Sequence, residues 1–360
     1  MDPESAQNVS IVQNYSVSSC DLYSPSEYNK SLVPTLYSII FLLGFLGNVL
    51  VVSVLCQRSC RRTVANTYLV NLALSDLLFL SSLPFWAVYY SLGYNWVFGW
   101  EMCKVFGGLL TINVYCSIFF ITCMSVDRYL AIVHPLQSQS SRSLCRARAI
   151  SVAIWLVACT SNVPNMLFRH LHPLPGLNVT ACVLQYPSTK WHYAMTLSKS
   201  TLCFVLPFGV IATCYYRIGC HLLATPTIKH GTEHLDRVLR MVIAVVLAFF
   251  LCWFPFHVLM LLVTTNSMAP FMSCEMEQTA ETVLPFTICL GFSNSAINPF
   301  LYCFVGHHFR EQLCHLYKVK VPRLSQKRDS ISTRLSSFSR KLSDLRDTGP
   351  PESPRLQRSP

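Results

Sequence analysis

The sequence predicts an all-α membrane protein, a seven-transmembrane helix bundle with a short amphipathic helix on the inner leaflet. Three observations carry that fold class. Of 360 residues, 52% are hydrophobic and only 12% charged, with mean hydropathy +0.40, which is too apolar for an ordinary soluble domain. Seven apolar segments, at roughly 32–56, 66–91, 102–134, 149–168, 193–223, 236–264 and 280–304, each supply the ~20 residues needed to cross a bilayer. Lysine and arginine concentrate in alternate connections, as on the cytoplasmic side of membrane proteins.

Residues 1–31 are polar and carry three glycosylation sequons, at Asn8, Asn14 and Asn29, which point to an extracellular segment. No stretch within them resembles a cleavable signal peptide, so the first span is expected to direct insertion. The connection after the first span holds Arg58, Arg61 and Arg62; that after the third holds Arg142, Arg146 and Arg148; that after the fifth holds Lys229, Arg237 and Arg240. The tail adds Lys318, Lys320, Arg323, Lys327 and Arg328. These face the cytoplasm, so the N-terminus is expected outside a multi-pass protein of the plasma membrane. The opposite loops carry Glu275, Glu277, Glu281 and a fourth sequon at Asn178. The net charge of +11 therefore reflects topology and not a nucleic-acid partner.

The bundle is expected to occupy 32–304. Over 305–318, Phe309, Leu313, Leu316 and Tyr317 recur at helical spacing, as in a helix lying on the membrane surface, with Cys314 either palmitoylated or unmodified. Residues 319–360, rich in Ser, Arg and Pro, read as a disordered cytoplasmic tail. Most of the 17 cysteines fall in apolar runs, where a free thiol behaves as a small hydrophobe. Cys20, Cys103, Cys182 and Cys274 instead lie near outer segment ends, and four cysteines allow three pairings.

Polar groups inside spans are costly and so mark candidate sites. Asp76 lies in the second span; Asn113 and Ser117 in the third; Asn294, Ser295 and Asn298 in the seventh. Together they could hold a small cation such as sodium, or form a hydrogen-bond network in the bundle core. At the inner end of the third span, Asp127, Arg128 and Tyr129 sit side by side after a largely apolar run. The pair either marks a helix end or acts as a lock, because pairing and desolvation nearly balance in a buried ion pair. Prolines at 84, 164, 207, 255 and 299 favour kinks, and Trp253 stands beside Pro255. No paired carboxylates, metal-ligand cluster or nucleophile elbow suggests an enzyme. A transporter or channel would need a continuous polar path, whereas the strip between Asn113 and Arg128 is largely Ile, Phe and Met.

Gly47-Asn48, Leu72 to Asp76, Asp127-Arg128-Tyr129, Trp155, Pro207 with Tyr215, Cys252 to Pro255 and Asn298-Pro299-Phe300-Leu301-Tyr302 stand in the spans and order of the rhodopsin-like (class A) G-protein-coupled receptors, which the chain resembles over roughly 32–317. The resemblance implies a receptor that shifts between two bundle packings, partnered by a heterotrimeric G protein and an arrestin. It assigns Asp127, Arg128, Tyr129, Tyr215, Trp253, Asn298, Pro299 and Tyr302 to the switch. It implies disulfides Cys103–Cys182 and Cys20–Cys274. The seventh-span position that holds a lysine in retinal-binding members is Phe292 here. Longer phrases, among them Val33 to Ile40 and Phe119 to Tyr129, resemble the angiotensin receptors, and Phe256-His257 and Phe292 resemble the type 2 branch.

That resemblance implies an extracellular peptide ligand, angiotensin II or similar, bound by Tyr37, Trp86, Asn113, Arg169, Lys199, Trp253, His257 and Glu281, with Lys199 and Arg169 receiving carboxylate or carbonyl groups. A lysine inside an apolar span needs an anion in any case. Two positions depart from the family: its aspartate eight residues after the hinge proline is Val263, and its second acid is Glu281. Another short peptide or a chemokine is the alternative ligand.

Overall fold

The computed structural model describes residues 27–57, 63–136, 143–174, 178–224 and 233–305. Cys20, Asn8, Asn14, Cys314 and the expected surface helix and tail lie outside them. Within the described residues the chain forms seven long helices: α1 (Glu27–Leu55), α2 (Val64–Ser91), α3 (Trp100–Val133), α4 (Leu144–Phe168), α5 (Thr189–Ala224), α6 (Glu233–Met268) and α7 (Cys274–Val305). Six are long and apolar enough to cross a membrane. The seventh is of similar length, with Glu275 and Glu277 in its first turn and Pro285 and Pro299 inside it.

Helix starts follow local chemistry. Thr63 accepts a hydrogen bond from the Asn66 amide at 3.1 Å, Ser143 from Arg146 at 3.1 Å and Ser188 from Trp191 at 3.4 Å, each satisfying an otherwise orphaned donor. Proline accounts for the interruptions, since it lacks an amide hydrogen and collides with the preceding turn. Helix α2 breaks at Ser81–Ser82 ahead of Pro84, and α4 at Asn162 ahead of Pro164. Helix α5 loosens into a π-turn over Thr201–Val205 ahead of Pro207. Pro255 and Pro299 lie inside unbroken helices.

Helix α3 is the central post, packing against α2, α4, α5 and α6. Its buried residues run from Cys103 to Ile132. The outer surface is apolar, with Leu46 on α1, Leu156 on α4 and Leu251 on α6 all more than 60% exposed, as a bilayer solvent demands. Helix α1 packs closely on its neighbours through two glycines. A Cβ at Gly44 would stand 2.9 Å from Leu80, and one at Gly47 2.8 Å from Pro299. Asn48 then reaches α7, its Nδ2 donating to the Ser295 carbonyl at 2.9 Å.

The connection between α4 and α5 holds an antiparallel hairpin of β1 (Arg169–Leu174) and β2 (Val179–Leu184), pairing Arg169 with Leu184 and Leu174 with Val179. The Cys103–Cys182 disulfide ties β2 to the first turn of α3. Thr180 also pins the hairpin to the α2–α3 loop, its carbonyl accepting from the Trp96 amide at 2.8 Å and its amide donating to Asn95 at 3.1 Å. Asn178, at the hairpin turn, is exposed and has φ +52°, a conformation asparagine tolerates. Cys274 is also disulfide-bonded.

Candidate ligand site and polar core

A cavity of about 200 Å³ opens among α3, α4, α5, α6 and the hairpin. Trp253, Phe256, Met260, Val114 and Leu110 give it apolar walls, while Arg169 and Lys199 bring two cations to it. The two cations are close enough to repel each other electrostatically. Arg169 leaves α4 at the first residue of β1, so the Pro164 break aims it inward. Its Nε donates to Asn165 Oδ1 at 3.3 Å, and its guanidinium lies 5.8 Å from the Trp86 ring. Burial pulls its pKa down to about 10, low for a guanidinium yet far above neutral pH, so the charge persists. His257 is buried; its Nδ1 meets Ser200 Oγ at 3.1 Å, and its Nε2 has no hydrogen-bond partner.

Of the residues expected to bind ligand, Arg169, Lys199, Trp253 and His257 line this cavity. Tyr37 does not; it packs on Tyr90 and Phe292 with ring centroids 5.6 and 5.3 Å away. Trp86 stands in the aromatic cluster beside the hairpin, 5.0 Å from Trp96, and meets the site through Arg169. Asn113 is engaged lower down, with Asp76. Glu281 lies on α7, and its side chain falls outside the described part. Sequence reading passed over Gly107, Thr111, Asn165, Ser200 and Cys203, which line the cavity. For Thr111, Asn165 and Ser200 the signal was present: each is a polar residue inside a span.

Beneath the cavity, Asp76 is fully buried and gathers three helices. Its carboxylate accepts from Asn113 Nδ2 at 2.9 Å, Ser295 Oγ at 2.7 Å and Asn298 Nδ2 at 3.2 Å. Asn294 Oδ1, Asn298 Oδ1 and Asn48 Oδ1 are buried without a hydrogen-bond partner, and Ser117 Oγ lies near the Asp76 carboxylate. Buried oxygen acceptors around a carboxylate are costly unless water or a cation meets them.

Near the C-terminal end of α3, Arg128 bonds to the Asp127 carboxylate, and both are buried. Tyr129 turns away, its hydroxyl 3.1 Å from His134 Nε2. The buried hydroxyls of Tyr215 and Tyr302 make no hydrogen bond of normal geometry, although Arg128 is an electrostatic neighbour of Tyr215. Trp253 sits 6.4 Å from both Phe249 below and His257 above, centroid to centroid, next to Pro255. Pro299 adjoins the Asp76 partner Asn298.

Seven long helices with a cavity at the end that carries the hairpin, a polar core and a buried ion pair at the opposite end define a membrane helix bundle whose two ends are joined by packed and hydrogen-bonded side chains. The chain belongs to the 7 transmembrane receptor (rhodopsin family), whose model matches residues 47–302. It is similar to the Type-2 angiotensin II receptor of Homo sapiens, with 45% identity over 321 residues and 88% of each chain covered. It is likewise similar to that of Meriones unguiculatus, with 44% identity over 323 residues and 89% of each chain covered. The Type-1 angiotensin II receptor B of Xenopus laevis is 38% identical over 329 residues, covering 91% of this chain and 90% of that one. The resemblance read from the motifs thus extends over most of the chain and leans to the type 2 branch. It is a multi-pass protein of the plasma membrane.

Proposed function

We propose that this chain is a receptor for an extracellular peptide, angiotensin II or a close relative, that signals by a ligand-driven shift between two helix-bundle packings. The observation that carries the reading is the convergence of Arg169 and Lys199 on one largely apolar cavity bordered by Trp253. Two cations in an apolar wall suit a ligand that ends in a carboxylate beside a large apolar side chain. The similarity to angiotensin receptors supplies the peptide class.

In this reading the N-terminus is extracellular and glycosylated at Asn8, Asn14 and Asn29, with Asn178 a fourth site on the hairpin turn. Cys20 is the partner of Cys274. Ligand contact at Trp253 and His257 shifts α6 about Pro255, and Arg128 leaves Asp127 for a G protein, with Tyr215 and Tyr302 offering their hydroxyls to the new arrangement. Arrestin and acidic inner-leaflet lipids are further partners of the basic inner face, and Cys314 is a palmitoylation site. A sodium ion is held beside Asp76 in this reading, with Ser117 near the carboxylate and Asn294 and Asn298 holding unsatisfied oxygens. Glu281 receives the basic end of the peptide. A second reading, another short peptide or a chemokine, draws on Val263, which replaces an acid expected to meet that basic end.

The test is displacement of labelled angiotensin II from membranes carrying the parent or Lys199→Ala. Tight binding to the parent that the variant loses supports the reading. A surface-displayed parent that binds no angiotensin II moves the assignment to another peptide.

A further inference from the structure

Arg169 is held by a relay that no motif announces. Its Nε donates to Asn165 Oδ1 at 3.3 Å, and Asn165 Nδ2 donates in turn to Asn162 Oδ1 at 3.1 Å. Asn165 and Asn162 are 2% and 6% exposed, so neither amide has water to replace its partner. Both lie at the break in α4, on the two sides of Pro164. The relay runs across two consecutive glycines of α3. A Cβ on Gly107 would stand 2.2 Å from Arg169 Nε, 2.5 Å from its Cδ and 2.6 Å from its Cζ. A Cβ on Gly108 would stand 2.6 Å from Asn162 Nδ2. Neither glycine has a positive φ. What they supply is room, and the room is filled by the arginine and the amide that steers it.

The consequence is directional. An arginine side chain has many rotamers, and an anion site needs its planar fork held in one of them. With Nε turned to Asn165 and the stem lying on Gly107, the terminal nitrogens point away from α4, NH1 toward Cys182 Sγ at 3.7 Å. The Cys103–Cys182 disulfide fixes that sulfur to α3. The guanidinium is therefore clamped from three sides: the α3 backbone below, the α4 amide behind and the hairpin disulfide in front.

We propose that Gly107, Asn162 and Asn165 are positioning residues that hold the Arg169 fork across the cavity and thereby set the receptor's preference for a peptide with a free C-terminal carboxylate. This rests on the peptide-receptor reading above. Asn165 is suited to the task because it is neutral: it orients the guanidinium without cancelling its charge.

The experiment compares angiotensin II with its C-terminal carboxamide, which removes the anion and little else, on surface-displayed parent, Gly107→Ala, Asn165→Ala and Asn165→Asp. The parent is expected to prefer the free acid. Gly107→Ala and Asn165→Ala should each lower affinity for the acid about tenfold and for the amide less than about twofold, the loss of roughly one charge-assisted hydrogen bond. Asn165→Asp keeps the size and the acceptor but offsets the guanidinium charge, so it too should erase the preference for the acid. A preference that survives in all three variants, or a fall that is equal for both peptides, overturns the relay while leaving the receptor reading in place. A parent that binds neither peptide removes that reading and the relay with it.

Discussion

Gly291 on α7 lies flat against the Trp253 indole of α6, so that a Cβ at 291 would come within 2.8 Å of Cζ3 and 2.9 Å of Cε3. The indole is buried and borders the cavity, and its position depends on a missing methyl group one helix away. Gly291→Ala should therefore overpack the contact, costing about 1–3 kcal/mol, unless the indole moves. The expected result is a thermal midpoint several degrees lower for ligand-free receptor in detergent, and recovery of most of that loss when Trp253→Phe is added. A double variant no more stable than Gly291→Ala alone would show that the strain lies elsewhere.

The Asp76 cluster predicts a dependence on sodium. Helix α2 carries this carboxylate and α3 and α7 send donors to it, so a cation held there favours the packing in which the three converge. Replacing choline with sodium at constant ionic strength should weaken agonist binding to the parent several-fold. Asp76→Asn should bind agonist equally well in both salts, because the amide keeps the shape and loses the charge. Equal salt sensitivity in parent and variant excludes the site.

These features differ in how plainly the sequence displayed them. The seven spans were legible because hydrocarbon admits only long apolar helices, and the Asp76 cluster because an ionised group in that solvent is rarely idle. The boundaries moved little: the fourth segment, expected at 149–168, is a helix over Leu144–Phe168. The hairpin over Arg169–Leu184 was not legible. Its strands contain Pro173 and short runs of mixed polarity, and they are fixed by Cys182 and by pairing with Trp96 and Asn95, which are tertiary facts. Gly107 was silent for a related reason, since its meaning lies in the arginine that crosses it. Trp155 was recognised as a motif residue, but only the structure shows its use: Nε1 donates to Asn71 Oδ1 at 3.0 Å and joins α4 to α2.

Asn48 makes a prediction about assembly. Its Nδ2 is shared between the Gly44 and Ser295 carbonyls, both at 2.9 Å, and the residue is fully buried. The close approach at Gly47 is what brings α1 within its reach of α7. Asn48→Leu should cost about 1 kcal/mol of bundle stability, the scale of one interhelical hydrogen bond in a membrane. Gly47→Leu should cost more, because it drives apart a whole helix face at Pro299. Thermal midpoints in detergent rank the two, and a Gly47→Leu receptor as stable as the parent would contradict the packing.

The Asp127–Arg128 pair makes the last prediction. Both side chains are less than 10% exposed, and Asp127 lies beside Arg128 in the chain, so the contact needs no rearrangement of the backbone to form or break. A buried guanidinium whose carboxylate has been neutralised is strongly destabilised where it sits. It gains by any packing that exposes it, and in this bundle the Tyr215 hydroxyl, already its electrostatic neighbour, offers it a hydrogen-bond partner on α5. Asp127→Asn should therefore shift the resting population toward the exposed state. A differential of about 1.4 kcal/mol is enough for a tenfold change in the ratio of the two packings. Basal nucleotide exchange on added G protein should rise several-fold, agonist affinity should rise with it, and the thermal midpoint of the ligand-free receptor should fall. Tyr215→Phe in the same background should remove much of the gain in basal exchange while leaving the lowered midpoint. A raised basal rate that Tyr215→Phe does not touch would keep the lock but assign the released arginine to a different partner.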